Sequence, residues 1–292
     1  MIVFVGAIAA GATGAFFNDT ETSTGNTFAA GDIDLQIDSE QHYNGNSCTL
    51  GDHDNNEETA DTYAWVGQSA YPVPGTACDG SWTMTDLGPS HKFFNFDDVK
   101  PGDEGEDTIS IHVGSNPAWM CIDITTTSND DVNCTEPESS DEGVGVCENS
   151  LPSATFDGDL AQNLNFFAWL DDGATPGFQN NGDTGEGDNV WQANELPLFT
   201  NVIGPMSDTI GGKTYALADS TTGNGPVPAG LTQYIGLAWC AGTFTAPVPG
   251  TLLCDGASMD NKAQTDAAVA DITFRVEQSR NNENFRCIPQ EA

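Results

Sequence analysis

Residues 107–124 read DTISIHVGSNPAWMCIDI. Ile109, Ile111 and Val113 alternate with polar residues, and beyond a Gly-Ser-Asn-Pro turn Met120, Ile122 and Ile124 do so again. A period of two places alternate side chains on one face, so each run is a strand with one buried side. The pattern recurs in both directions along the chain. Ile33, Leu35 and Ile37 alternate in GDIDLQID, as do Ala270, Ile272, Phe274 and Val276 near the C-terminus. Three further strands are expected in NLNFFAWL around Phe166, KTYALAD around Tyr215 and TQYIGLAW around Ile235, which are rich in aromatic and β-branched residues. A helical period is found only weakly, at 263–270. The reading is all-β. Turn-rich polar excursions at about 40–90, 128–160, 171–195 and 243–262 separate the strands, dense in Gly, Pro, Asn and Asp.

The chain has 292 residues, long enough for one large β domain, with 15 Phe and 6 Trp to fill a core. Seven Lys plus Arg stand against 44 Asp plus Glu, a formal net charge of −37. Such a surface repels nucleic acid and anionic lipid and suits high salt, abundant divalent cations or solubility outside the cell. The eight cysteines, Cys48, Cys78, Cys121, Cys134, Cys147, Cys240, Cys254 and Cys287, contain no CxxC pair. They read as disulfides rather than zinc ligands. Cys134 with Cys147 and Cys240 with Cys254 would each staple a short excursion, and apart from Cys121 the cysteines are expected in the excursions or at their edges.

Residues 1–15, MIVFVGAIAAGATGA, have the length and apolarity of a signal-peptide core, with Thr13 and Ala15 at the positions a signal peptidase inspects. The run is shorter than the ~20 apolar residues of a membrane-spanning helix. No positive n-region precedes it. Two readings follow: cleavage between Ala15 and Phe16, or a short hydrophobic arm kept in the mature protein.

Residues 12–38, ATGAFFNDTETSTGNTFAAGDIDLQID, carry a specific resemblance. Phe16, Phe17, Asp19, Thr27, Phe28, Ala30, Gly31, Ile33, Asp34 and Leu35 match in order the processing site and first strand of TasA/camelysin-type proteins, the SipW-dependent secreted fibre and pilus subunits. FNFDDVKPGDEGEDTISIHVGSNPAWMCIDI, residues 94–124, is similar to that family's Lys-Pro-Gly-Asp turn and the two paired strands after it, and ADITFRVEQSRNN, 270–282, to its closing strand. The cysteines and the acidic insertions depart from the family pattern. The resemblance implies a jelly-roll-like β-sandwich over 31–292, exported, without stable membrane insertion after processing, that assembles into extracellular fibres, pili or biofilm matrix. It also carries a metallopeptidase name. No HExxH occurs, and His42, His53, His91 and His112 are scattered; the nearest approach to a cluster is His42, Asp52, His53, Asp54, Glu57 and Glu58. Catalysis is not expected. A third reading, a monomeric adhesin or glycan-binding module, would use Trp65, Tyr71, Trp82 and Trp191 as stacking platforms.

Calcium is the cofactor expected on the residues. WLDDGATPGFQNNGDTGEGDNVWQANE, 169–195, offers Asp171, Asp172, Asp183, Asp188, Asn189 and Glu195 on a Gly-rich loop, and hard oxygens in such a loop suit that ion. Residues 16–30 form an arm whose even positions, Phe16, Thr20, Thr22, Thr24 and Phe28 together with Asn18 and Asn26, make one buriable row, with Phe17 beside them. Donated head to tail into the next copy of the same chain, such an arm would build an open homopolymer.

Overall fold

The computed structural model describes residues 33–54, 58–133, 135–142, 158–178, 182–199 and 203–289. Its strands are β1 (Leu35–Tyr43), β2 (Asn46–Gly51), β3 (Thr62–Val66), β4 (Trp82–Thr85), β5 (Glu104–Val113), β6 (Ala118–Asp130), β7 (Leu164–Leu170), β8 (Gly204–Pro205), β9 (Lys213–Ala218), β10 (Thr232–Ala241), β11 (Thr243–Val248), β12 (Thr251–Asp255) and β13 (Ala267–Gln278). Short helices are α1 (Glu138–Glu142), α2 (Leu160–Asn163) and α3 (Met206–Thr209). The fold is all-β, and every pairing between named strands is antiparallel.

The large sheet runs β3-β2-β1-β5-β10-β7-β8, with β4 also pairing β1; a second sheet is β13-β6-β9, and β11 with β12 forms a hairpin. Ile109, Ile111 and Val113 of β5 and Met120, Ile122 and Ile124 of β6 share one core with Ile37, Ile235, Leu237, Tyr215 and Leu217. The resemblance implied that β5 and β6 pair with each other. They do not. The turn at 114–117 carries the chain from one sheet to the other, so both strands turn their apolar sides to the same core.

β7 is buried on both faces, which is why its sequence is a continuous apolar run instead of an alternation. Phe166, Ala168 and Leu170 enter the main core, while Phe167 and Trp169 on the other face meet Ala238, Cys240 and Phe244 in a second, smaller core. Trp169 lies flat on β10 because position 236 is glycine. A Cβ there would stand 2.1 Å from Trp169 Cζ2.

Several expectations are corrected. The excursion at 40–90 contains β2, β3 and β4 and the end of β1, and 243–262 contains the β11–β12 hairpin. Polar residues hid these strands, because their outer faces meet water. The weak helical period at 263–270 gives a 3-10 turn at Asn261–Ala263 and then β13, where pairing with β6 prevails over an alanine-rich local preference. Among the described residues the disulfides are Cys48–Cys78, Cys121–Cys287 and Cys240–Cys254. Cys240–Cys254 is the expected pair, but it joins two strands, and Cys48 also lies within a strand. Cys134 and Cys147 lie outside the described residues.

Candidate metal centre and free sheet edge

Beyond β7 the chain keeps the strand's parity for one more residue, so Asp171 follows Phe167 and Trp169 on the same face. Its N–H donates to Tyr234 O of β10 at 3.1 Å and its carbonyl accepts from Gly187 N–H at 3.2 Å, which folds the loop back over the sheet. Asp171 is 0% exposed, Glu195 3%, Asp172 6% and Asn189 8%. Four of the six residues expected to bind calcium are therefore buried. Asp183 and Asp188 are not: Asp183 accepts from Thr175 and Thr184 N–H, and Asp188 from Val190 N–H and Gln192 Nε2, so both organise the loop backbone.

The backbone aims the buried carboxyls. Asp171 Oδ2 accepts from Asn189 N–H at 2.7 Å, while Glu195 Oε1 accepts from Gly173 N–H at 3.0 Å and Oε2 from Gln192 N–H at 2.6 Å. Asp171 and Glu195 then face each other in direct contact, and burial raises both, Asp171 to about 6 and Glu195 to about 8. Fully ionised they would have no donor between them; a proton kept on Glu195 lets it donate to Asp171. Asp171 Oδ1 is buried without a hydrogen-bond partner, as are Asp172 Oδ1, both side-chain heteroatoms of Asn189, and Gln192 Oε1. Asp172 belongs to a neighbouring niche, where its Oδ2 accepts from Gly177 N–H and burial raises it to about 6.

A second acidic group was missed in the sequence. Asp131, Glu138 and Asp266 bring one carboxylate oxygen each within 4.8 Å of the others. Asp131 follows β6 and Asp266 precedes β13, and the register Asp130↔Ala267 sets them at the same end of the two strands. Glu138 reaches them from α1 and is 1% exposed. Asp266 Oδ2 accepts from Asp159 and Leu160 N–H, and burial together with the Asp131 and Glu138 charges raises it to about 7. Strand register brings Asp266 beside Asp131, 135 positions away in sequence, so no local spacing could reveal the group.

The other expected sites are dispersed. No group of three possible metal ligands forms among the described residues around His42 and His53; His53 Nε2 is bonded to Thr49 O, and Glu57 lies outside the described residues. Trp65 is 6% and Trp82 9% exposed, while Tyr71 and Trp191 are half-buried and pack on the cores, so the stacking-platform reading is corrected.

β13 is paired on one flank by β6 and, among the described residues, has no strand on its other flank. It is twelve residues long, and Ala268, Ala270, Ile272, Phe274 and Val276 pack half-buried against the main core. The other terminal strands, β3, β8 and β9, have five, two and six residues. β13 is thus the longest open edge described. The arm residues Phe16, Phe17, Thr20, Thr22, Thr24 and Phe28 and the processing residues Thr13 and Ala15 lie outside the described residues. No described helix is long and apolar enough to cross a membrane.

Neither the models of known protein families nor the curated proteins match this chain. The reading of function therefore rests on the residues and their geometry.

Proposed function

We propose that this protein is a structural subunit of an extracellular fibre, pilus or biofilm matrix, assembled when the N-terminal arm of one copy adds as a strand to the sheet edge of the next. The observation that carries the reading is the edge of β13 that no strand covers among the described residues, twelve residues long with a half-buried apolar face. Such an edge offers unpaired N–H and C=O groups that a strand from another chain satisfies. Residues 16–28 have the row of Phe and Thr that such a strand needs, and the TasA/camelysin resemblance points the same way. The three disulfides among the described residues and a net charge of −37 support an oxidising, extracellular setting.

The edge carries protection of its own. Asp271 and Glu277 are exposed along it, so an incoming strand must tolerate those charges, which selects against indiscriminate pairing. Negative-stain microscopy of the mature protein tests the proposal. Fibres are expected from the intact chain, and a folded monomer from a chain lacking residues 16–28 or carrying Thr22→Pro. Val269→Lys, at an exposed position of β13, should shorten fibres without unfolding the subunit. Fibres of normal length from the truncated chain would refute strand donation.

A further inference from the structure

We infer that Asp171, Glu195 and Asn189 form a divalent-cation site, with calcium the ion its oxygen donors fit. The inference does not depend on the fibre reading. The acidic cluster alone would not carry it; the orphaned atoms within it do. Asn189 is 8% exposed, and both its side-chain oxygen and its side-chain nitrogen lack a partner, although its N–H, bound to Asp171 Oδ2, holds the residue in place. Gln192 Oε1, from the residue whose N–H binds Glu195, is a second such oxygen.

Unmatched acceptors thus outnumber unmatched donors, since Asn189 Nδ2 is the one orphaned donor of this group. A surplus of buried acceptors calls for a positive charge rather than an anion or a peptide carbonyl. No ion pair with Lys, Arg or His is formed by Asp171 or Glu195 among the described residues. The donors are carboxylate and amide oxygens with no imidazole or thiolate, a set that suits calcium over zinc or copper. Burial of two facing carboxylates is expensive without a positive charge between them.

The loop supplies the curvature that such a site needs. Gly173, Gly185, Gly187 and Asn189 all have positive φ, and at Gly187 a Cβ would stand 2.8 Å from the Tyr234 ring, so the loop lies directly on the sheet. Trp191 is next to the site, its Nε1–H donating to Glu195 O at 3.4 Å. That neighbour gives a spectroscopic handle, because terbium in a calcium site emits when an adjacent indole is excited.

The experiment uses the full, disulfide-intact chain, stripped with a chelator and kept in enough monovalent salt to screen its acidic surface. Calcium is titrated calorimetrically, and melting is followed with calcium and with chelator, for the wild type, Glu195→Gln, Asp171→Asn and the exposed control Asp97→Asn. Terbium emission excited through indole is read in parallel and in Trp191→Phe. The wild type and Asp97→Asn should bind calcium alike, with sensitised terbium emission that calcium displaces. Glu195→Gln and Asp171→Asn should bind at least tenfold more weakly; Asp171→Asn, which keeps the acceptor for Asn189 N–H, should melt in chelator no lower than the wild type, whereas Glu195→Gln sets an amide NH2 against a backbone N–H and is read for binding alone. Three outcomes overturn the inference. They are no calcium heat from the wild type, the same calcium response in all four chains, and an Asp171→Asn variant that already melts lower in chelator, which would make Asp171 and Glu195 a proton-sharing structural pair.

Discussion

Asp107 gives the sharpest test of the electrostatics of this core. It sits mid-sheet on β5, between Gln41 of β1 and Leu237 of β10, with 0% exposure and neither carboxylate oxygen hydrogen-bonded. Burial, and then the neighbouring Glu106, pushes it well above the ordinary aspartate range. The folded protein therefore keeps a proton that the unfolded chain releases above about pH 4. With more protons bound in the folded state, stability falls as pH rises from the unfolded pKa toward the folded one. One such group can contribute a slope of at most about 1.4 kcal/mol per pH unit, or about 4 kcal/mol between about pH 4 and about pH 7. Asp107→Asn keeps the shape and removes the titration. Urea unfolding at fixed ionic strength should give stabilities for the two proteins within about 1 kcal/mol at about pH 4, with Asp107→Asn gaining on the wild type as pH rises toward about 7, within the roughly 4 kcal/mol that the slope allows. Glu106, raised to about 7 by burial and then Glu104, titrates in both proteins and cancels in the difference. A difference independent of pH would refute the reasoning, because it would mean that folding leaves the Asp107 carboxyl titrating as it does in the unfolded chain.

Other expectations follow from packing and chain connectivity. Replacing Cys121 and Cys287 by serine opens a 166-residue span and should cost about 5 kcal/mol, against about 3 kcal/mol for the 14-residue span of Cys240–Cys254, measured by denaturant unfolding. Gly236→Ala drives a methyl into the Trp169 ring and should cost about 2–3 kcal/mol, with a change in near-ultraviolet circular dichroism as that ring moves. The charge of −37 should make the melting temperature rise with added monovalent salt, which calorimetry over a salt series would show.

The strands that bury one face were legible because alternation is local. Ile109, Ile111, Met120, Ile122 and Ile124 announce themselves in any window that contains them. Strand partners were not legible: the turn at 114–117 reads as a hairpin turn yet crosses between sheets, a choice made by which apolar faces can be buried together. The same limit governed the acidic loop. Its composition marked Asp171 and Glu195 along with Asp183 and Asp188, but only the backbone course separates buried carboxyls from those capping their own turns. Asp131, Glu138 and Asp266 were invisible as a group because the β6–β13 register, not any local spacing, brings Asp266 to the other two.

The Cys121–Cys287 bond also sets how such a subunit bears load. Tension entering at β1 and leaving through β13 would meet a covalent shortcut, since β13 lies inside the span that this bond closes. Cys48–Cys78 removes a further stretch from the path. Between the start of β1 and Cys121, only about 60 residues can then pay out, roughly 200 Å of extended chain. The strands β7 to β12 and the loop over β7 lie within the span that the bond closes, out of the pull. A filament built of such units would stretch by a bounded length and then stiffen, and a reductant would remove the bound.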